Sequence, residues 1–268
     1  VSVWNNRKYD PNVTEATTQA HKAKSGSGRF NKSLVNPDLL KPIARARQEL
    51  ETTHKFFTQP WQQGGGRILP SIKFLHYTGD MRKNKSRFDQ EVLTFLAKYP
   101  AEVAAAQATL GDMYDPADYP DVQDMKAKFG VTIDVTPFPI DHQDWRTDMA
   151  QEAVDEAAAA MRETYERKES VMVRESYERA RKVVQKMADV LSDPDKVFHD
   201  SLVGNVETLV DLLPSLNLTD DQNITDIVLM MQTDLCQSPQ ALRDDPVLRA
   251  RTCAAANAIL SRITQGLV

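Results

Sequence analysis

Residues able to do chemistry gather near the start of this chain, and the chemistry they suit is non-covalent. Trp4, Arg7, Lys8, Tyr9, Lys22, Lys24, Arg29, Phe30 and Lys32 interleave cations with flat rings in a polar segment. Lysine and arginine follow a phosphate backbone and release its counterions, while an exposed ring takes an unpaired base at about 1–3 kcal/mol per stack. A second group surrounds three successive glycines: Pro60-Trp61, then Gly64-Gly65-Gly66, Arg67 and Lys73. Trp61 could stack on a base there, and the glycines let another backbone approach closely. The third is Arg82, Lys83, Lys85 and Arg87, cations packed into one short stretch that repel one another unless an anion faces them. A plainer reading competes in each case: Trp4, Tyr9 and Phe30 anchor the segment, Trp61 closes a helix in the core, and the charges are solvated.

Covalent chemistry is poorly provided for. His21, His54, His76, His142 and His199 are scattered, and Asp141-His142-Gln143-Asp144 offers adjacent ligands that cannot converge on an ion without help from elsewhere. Ser25-Gly26-Ser27-Gly28 lacks the GxxxxGK[ST] spacing of a phosphate cradle, and no apolar strand delivers it to a helix. Asp220-Asp221 and Asp244-Asp245 sit where helices begin and read as caps. A metal-dependent nuclease would need carboxylates and a lysine gathered at a strand end, and Asp134 is the only acid on a convincing strand. Cys236 and Cys253 form no CxxC or Cys/His grouping and read as buried thiols in helices. The expectation is a non-enzyme with no catalytic residue, no metal and no cofactor.

These groups lie in a chain with an uneven charge. Its 268 residues have a net charge of −5, but residues 1–100 hold 17 Lys/Arg against 8 Asp/Glu, and residues 101–268 hold 16 against 30. Eleven of the 19 aromatic residues also fall in the first 100. Such a split points to binding of nucleic acid or another anionic surface by the first part alone. The sequence therefore reads as a basic, aromatic-rich nucleic-acid-binding region over 1–140 and an acidic helical region over 141–268 for oligomerisation and partner binding. No stretch approaches the roughly 18 apolar residues of a membrane span and no signal-peptide pattern opens the chain, so a cytoplasmic protein without a membrane partner is expected.

The predicted fold class is mainly α with a small β-hairpin or sheet element (α+β) and a long-helix C-terminal scaffold. Residues up to about 32 read as an irregular arm. Asn36-Pro37-Asp38 predicts a helix to about Phe57, and the triglycine a mobile tip. Residues 67–74 read as extended, 79–98 as a basic helix with one buried face, 101–110 as an alanine-rich helix and 120–129 as a short one. Residues 131–135 alternate with period two, which makes them the best strand candidate, with 67–75 as the natural partner. After the extended Pro137-Phe138-Pro139, residues 148–191 predict a helix of roughly 60 Å, with apolar positions including Val154, Ala158, Met161, Met172 and Met187. It must pack on later helices, on a second subunit, or on both. Asp193-Pro194, Thr219-Asp220-Asp221 and Asp245-Pro246 open helices to Leu213, Leu235 and Thr264.

Several segments together resemble a family of bacterial-virus proteins. They are Ser2-Val3-Trp4 with Arg7-Lys8, Gly28-Arg29-Phe30-Asn31-Lys32, Pro60-Trp61 with Arg67-Ile68-Leu69-Pro70, Tyr77-Thr78 with Met81-Arg82, Pro116-Ala117-Asp118-Tyr119-Pro120, and Asp200-Ser201-Leu202 through Val210-Asp211-Leu212-Leu213-Pro214. Most members of that family have no known function, and within it the segments most resemble Drc-like proteins, single-stranded-DNA-binding transcription cofactors of podoviruses that carry a virion RNA polymerase. The resemblance implies a protein that coats single-stranded viral DNA in the host bacterial cytoplasm. It also implies help to the phage RNA polymerase in the passage from early to middle transcription. It carries over no individual DNA contact, so the candidate binding residues remain those of the charge and ring pattern. The combined expectation is a homo-oligomer, joined through the long helix and C-terminal helices, with single-stranded DNA and the phage RNA polymerase as partners. The alternative is a structural or adaptor phage protein whose basic half meets an acidic protein.

Overall fold

The computed structural model of the protein describes residues 1–61, 66–135 and 151–267, with the helical backbone alone over 151–162. Residues 62–65 of the glycine turn, Pro137-Phe138-Pro139, the His142 group, the expected helix start at Asp148 and the side chains of Val154, Ala158 and Met161 lie outside the described residues.

Strand β1 (Arg7–Tyr9) is followed by helix α1 (Pro11–Ala20) and strand β2 (Asn31–Ser33). The two strands pair antiparallel, with Arg7 opposite Ser33, Lys8 opposite Lys32 and Tyr9 opposite Asn31. Asp10 starts α1 by accepting the Val13 N–H, and Pro11 takes the first helical position, where its missing N–H loses nothing. Residues 7–33 are thus folded, correcting the expectation of an irregular arm. Asn36 opens a 3-10 turn (Pro37–Leu40) that runs into α2 (Lys41–Phe57). β3 (Gln59–Pro60) pairs antiparallel with β4 (Arg67–Ile68), and α3 (Phe74–Leu110) ends at Gly111, whose φ of 54° is the left-handed stop that favours glycine. α4 (Val122–Ala127) is capped by Asp121; then come α5 (Gln151–Leu191), α6 (Ser201–Leu216), α7 (Gln222–Asp234), α8 (Pro239–Asp244) and α9 (Pro246–Gly266). The protein is mainly α with a small antiparallel β element.

Four local expectations are corrected. The basic and alanine-rich helices are one, because α3 runs through Pro100, whose nitrogen donates no helical hydrogen bond. Residues 131–135 form no strand: pairing stops at the Ser2–Gly130 bridge, and Ile133 and Val135 are 37% and 51% exposed, so their alternation meets no apolar face. The partner of β4 is β3 instead. Asp193-Pro194 opens no helix, since Arg249 holds the carbonyls of Val190, Leu191, Asp193 and Lys196, and α6 starts at Ser201. Cys236 lies past the end of α7, and it and Cys253 are half-buried rather than buried.

The chain divides into two compact units. One comprises Val1–His54 with Thr78–Phe138, the other Lys55–Tyr77 with Pro139–Val268. Residues 55–77, assigned by sequence to the basic region, therefore belong with the helical scaffold. In the first unit Ile43 and Leu50 of α2 and Phe88, Phe95 and Tyr99 of α3 are buried. In the second, the long helix α5 packs on α9 and α6, with Val184, Met187, Val206, Leu213, Ile227, Met231, Ile259 and Ile263 fully buried in one core. This division redistributes charge. The first unit holds 16 Lys/Arg against 15 Asp/Glu, the second 17 against 23, so the basic surplus is no longer a property of a whole unit.

Candidate nucleic-acid interface

Within the first unit the surplus is local. Residues 1–33 carry six Lys/Arg against Asp10 and Glu15. Side chains alternate across a strand, so the β1–β2 pair has two faces of different character.

On the outer face, Arg7 and Tyr9 project with Asn31 and Ser33. The Arg29 guanidinium lies 4.4 Å from the centroid of the Tyr9 ring, a cation–π contact that orients both groups. Tyr9 is 39% exposed and neighbouring Phe30 38%. Thr14 Oγ1 accepts the Phe30 N–H, and the Phe30 carbonyl accepts that of Asp10, so this segment has a fixed path against α1. Lys22 and Lys24 are exposed in the connection beyond α1. Arg7, Lys22, Lys24 and Arg29 have no acidic partner among the described residues.

The inner face is ionic. Lys8 and Lys32 are directly opposite, an arrangement that destabilises a sheet unless it is neutralised. Asp118, whose side chain is 1% exposed, meets both: Lys8 Nζ donates to Oδ1, and Lys32 Nζ lies 2.8 Å from Oδ2 as a charge contact rather than an aligned hydrogen bond. Lys32 also donates to the Met113 carbonyl at 2.5 Å and lies 3.9 Å from Asp10. Burial alone would raise the Asp118 carboxyl, but the close contacts and charges of Lys32 and Lys8 outweigh it and hold the group below its ordinary range. Around this knot Tyr119 donates to the Leu34 carbonyl and stacks on Tyr114, fixing residues 113–119 against the start of the core.

The other sequence candidates separate by what they touch. Lys32 is buried and structural, which removes it from any surface contact. Trp4 is half-buried, 6.2 Å from each of the Phe95 and Tyr99 rings, and anchors the segment as the plainer reading held. In the second unit Trp61 packs 5.7 Å from Tyr165 beneath Lys168, and Arg67 donates to the Thr58 hydroxyl and carbonyl. Lys73 reaches the Asp211 carbonyl. In the first unit Lys85 pairs with Asp89, and Arg87 makes a two-pronged contact with Glu49 of α2. Arg82 and Lys83 are exposed without an acidic partner among the described residues. The cluster that seemed to demand an external anion thus finds half of its counter-charge inside the protein.

Sequence reasoning missed Asp10, and it placed Tyr9 among the interleaved rings without assigning it to a strand face. Asp118 stood in the Pro116–Pro120 segment of the resemblance, but nothing in the sequence tied it to Lys8, 110 residues away.

Among the described residues no three His, Cys, Asp or Glu side chains gather to hold a metal ion, and no helix is long and apolar enough to cross a membrane. Compared with protein-family models, curated proteins and solved structures, the chain matches none.

Proposed function

We propose that this is a non-catalytic single-stranded-DNA-binding protein of a bacterial virus that serves the phage RNA polymerase as a cofactor in the host cytoplasm. The observation that carries DNA binding is the outer face of the β1–β2 pair. There Arg7 and Arg29, with Lys22 and Lys24 in the connection beyond α1, have no acidic partner among the described residues, and the rings of Tyr9 and Phe30 are exposed beside the two arginines. Cations would follow the phosphates, and a partly exposed ring face takes an unpaired base that a stacked duplex does not offer. The polymerase role rests on the family resemblance. The second unit, with six more acids than cations, suits a basic partner surface and keeps DNA off itself. Self-association through α5 and the helices after it is part of this proposal, and a light-scattering mass at two concentrations tests it.

A second reading has one observation in its favour. The cations without acidic partners among the described residues suit an adaptor that meets an acidic protein as well as they suit a DNA coat. Anisotropy of labelled oligonucleotides, single-stranded against duplex and titrated with salt, separates the two. Tight, salt-sensitive binding that prefers single strands supports the proposal; weak binding indifferent to salt favours the adaptor. Loss of oligonucleotide integrity on adding magnesium would point instead to a nuclease.

A further inference from the structure

The side chains that face outward on β1 and β2 are only as well placed as the strands beneath them, and those strands have little apolar support. α1 buries no residue, and all three residues of β1 are exposed. The inner face is held by ions: one carboxylate from the segment 116–118 receives a lysine from each strand. We infer that Asp118 is a positioning residue for the nucleic-acid face, a buried acid that strengthens the binding of an anion it never touches. The inference rests on the single-strand reading of that face.

The physical reasoning has two steps. Lys8 and Lys32 oppose each other in register, so without Asp118 their repulsion acts directly on the pairing that aligns Arg7 and Tyr9 on one strand with Asn31 and the approach to Arg29 on the other. Asp10 does not replace it, being 3.9 Å from Lys32 and committed through Oδ1 to the start of α1. Asp118 and Lys32 are the buried members, so removing the carboxylate leaves the Lys32 ammonium uncompensated in the interior, a larger effect than the loss of a surface pair, while Lys8, 52% exposed, keeps access to water.

Charge counting and positioning predict opposite signs, which makes the idea testable. Asp118→Asn makes the protein more positive, so simple electrostatics predicts tighter binding of DNA. Positioning predicts affinity for a labelled single-stranded oligonucleotide lower by about fivefold or more. The control is Asp112→Asn, an exposed acid nearby, for which affinity rises or holds. A double-mutant cycle with Arg7→Ala/Tyr9→Ala supplies a readout that a general loss of stability would not move. If Asp118 acts through the outer face, its substitution has little further effect once that face is gone.

Faster amide exchange at residues 7–9 and 31–33 in D118N is expected alongside. Should D118N fail to fold by circular dichroism, Asp118→Glu, which keeps the charge but moves the carboxylate by one methylene, carries the same cycle and exchange measurement: charge counting predicts unchanged affinity and positioning predicts weaker binding. Equal or tighter binding by D118N, or losses that simply add to those of the outer-face variant in either cycle, overturns the inference while leaving single-strand binding intact. A wild-type protein that binds no single strand overturns both.

Discussion

Individual side chains settle much of how this chain is held, and several do so by gripping backbone carbonyls. Arg179 is the clearest case. Its guanidinium donates to the carbonyls of Lys55, Phe56 and Thr58 at 2.6–2.8 Å, closing the end of α2 while its Nε meets Glu175. Arg179→Met leaves those carbonyls without their charged donor and should destabilise the second unit by about 2–4 kcal/mol in urea denaturation. The ionic knot makes a pH prediction. Because the folded Asp118 carboxyl lies below its ordinary value, its contribution is present above about pH 4 and lost as pH falls further, so acid should loosen residues 7–33 first, as seen by amide exchange. Tyr99 and Tyr119 behave in the opposite sense. Burial pushes both phenols up to about 12, with the neighbouring Tyr119 contributing for Tyr99 and the Asp118 charge for Tyr119. Their contribution holds below about pH 10 and is lost as pH climbs through the folded value; burial raises Tyr77 and Tyr177 as well, so an ultraviolet titration should show a late-ionising group of tyrosines that includes all four.

At the scale of elements, capping chemistry was readable and long-range pairing was not. Asp10-Pro11, Asp121, Asp221 and Asp245-Pro246 start helices as their types dictate. Asp193-Pro194 has the same appearance and starts none, because four carbonyls nearby are taken by Arg249, more than 50 residues away. The alternation of residues 131–135 misled for a related reason: period two marks a strand only where one face finds a surface to cover. α8, opened by Ser238 and Pro239, was overlooked although its cap is written plainly. Two glycines test the helix ends. Gly111 has a left-handed φ with open space around its Cβ position, so Gly111→Ala should lower stability by about 1 kcal/mol through backbone strain alone. At Gly266 an added Cβ would come within 2.6–2.8 Å of the buried Tyr177 ring, and Gly266→Ala should lower it by about 1–3 kcal/mol through forced repacking of α9 on α5. Thermal melts of the two variants check both.

For the whole molecule, the sequence gradient of charge and the charge of the folded units are different quantities. The acids of residues 101–138 fold into the same unit as the early cations, and Lys55, Arg67 and Lys73 go to the other. Binding should therefore report local cations rather than net charge. Replacing Arg7 and Arg29 by alanine should reduce the slope of log affinity against log salt by about 1.4, near 0.7 for each phosphate contact on a single strand. Arg87→Ala, already engaged by Glu49, should leave that slope unchanged. The knot of Lys8, Lys32 and Asp118 also has a history to impose. Three positions spread over 110 residues of sequence share one charge balance, so a change at any of them leaves the others poorly tolerated. Descendants of this fold should keep the three together or exchange them together for apolar residues, and chains in which only one has drifted should be rare.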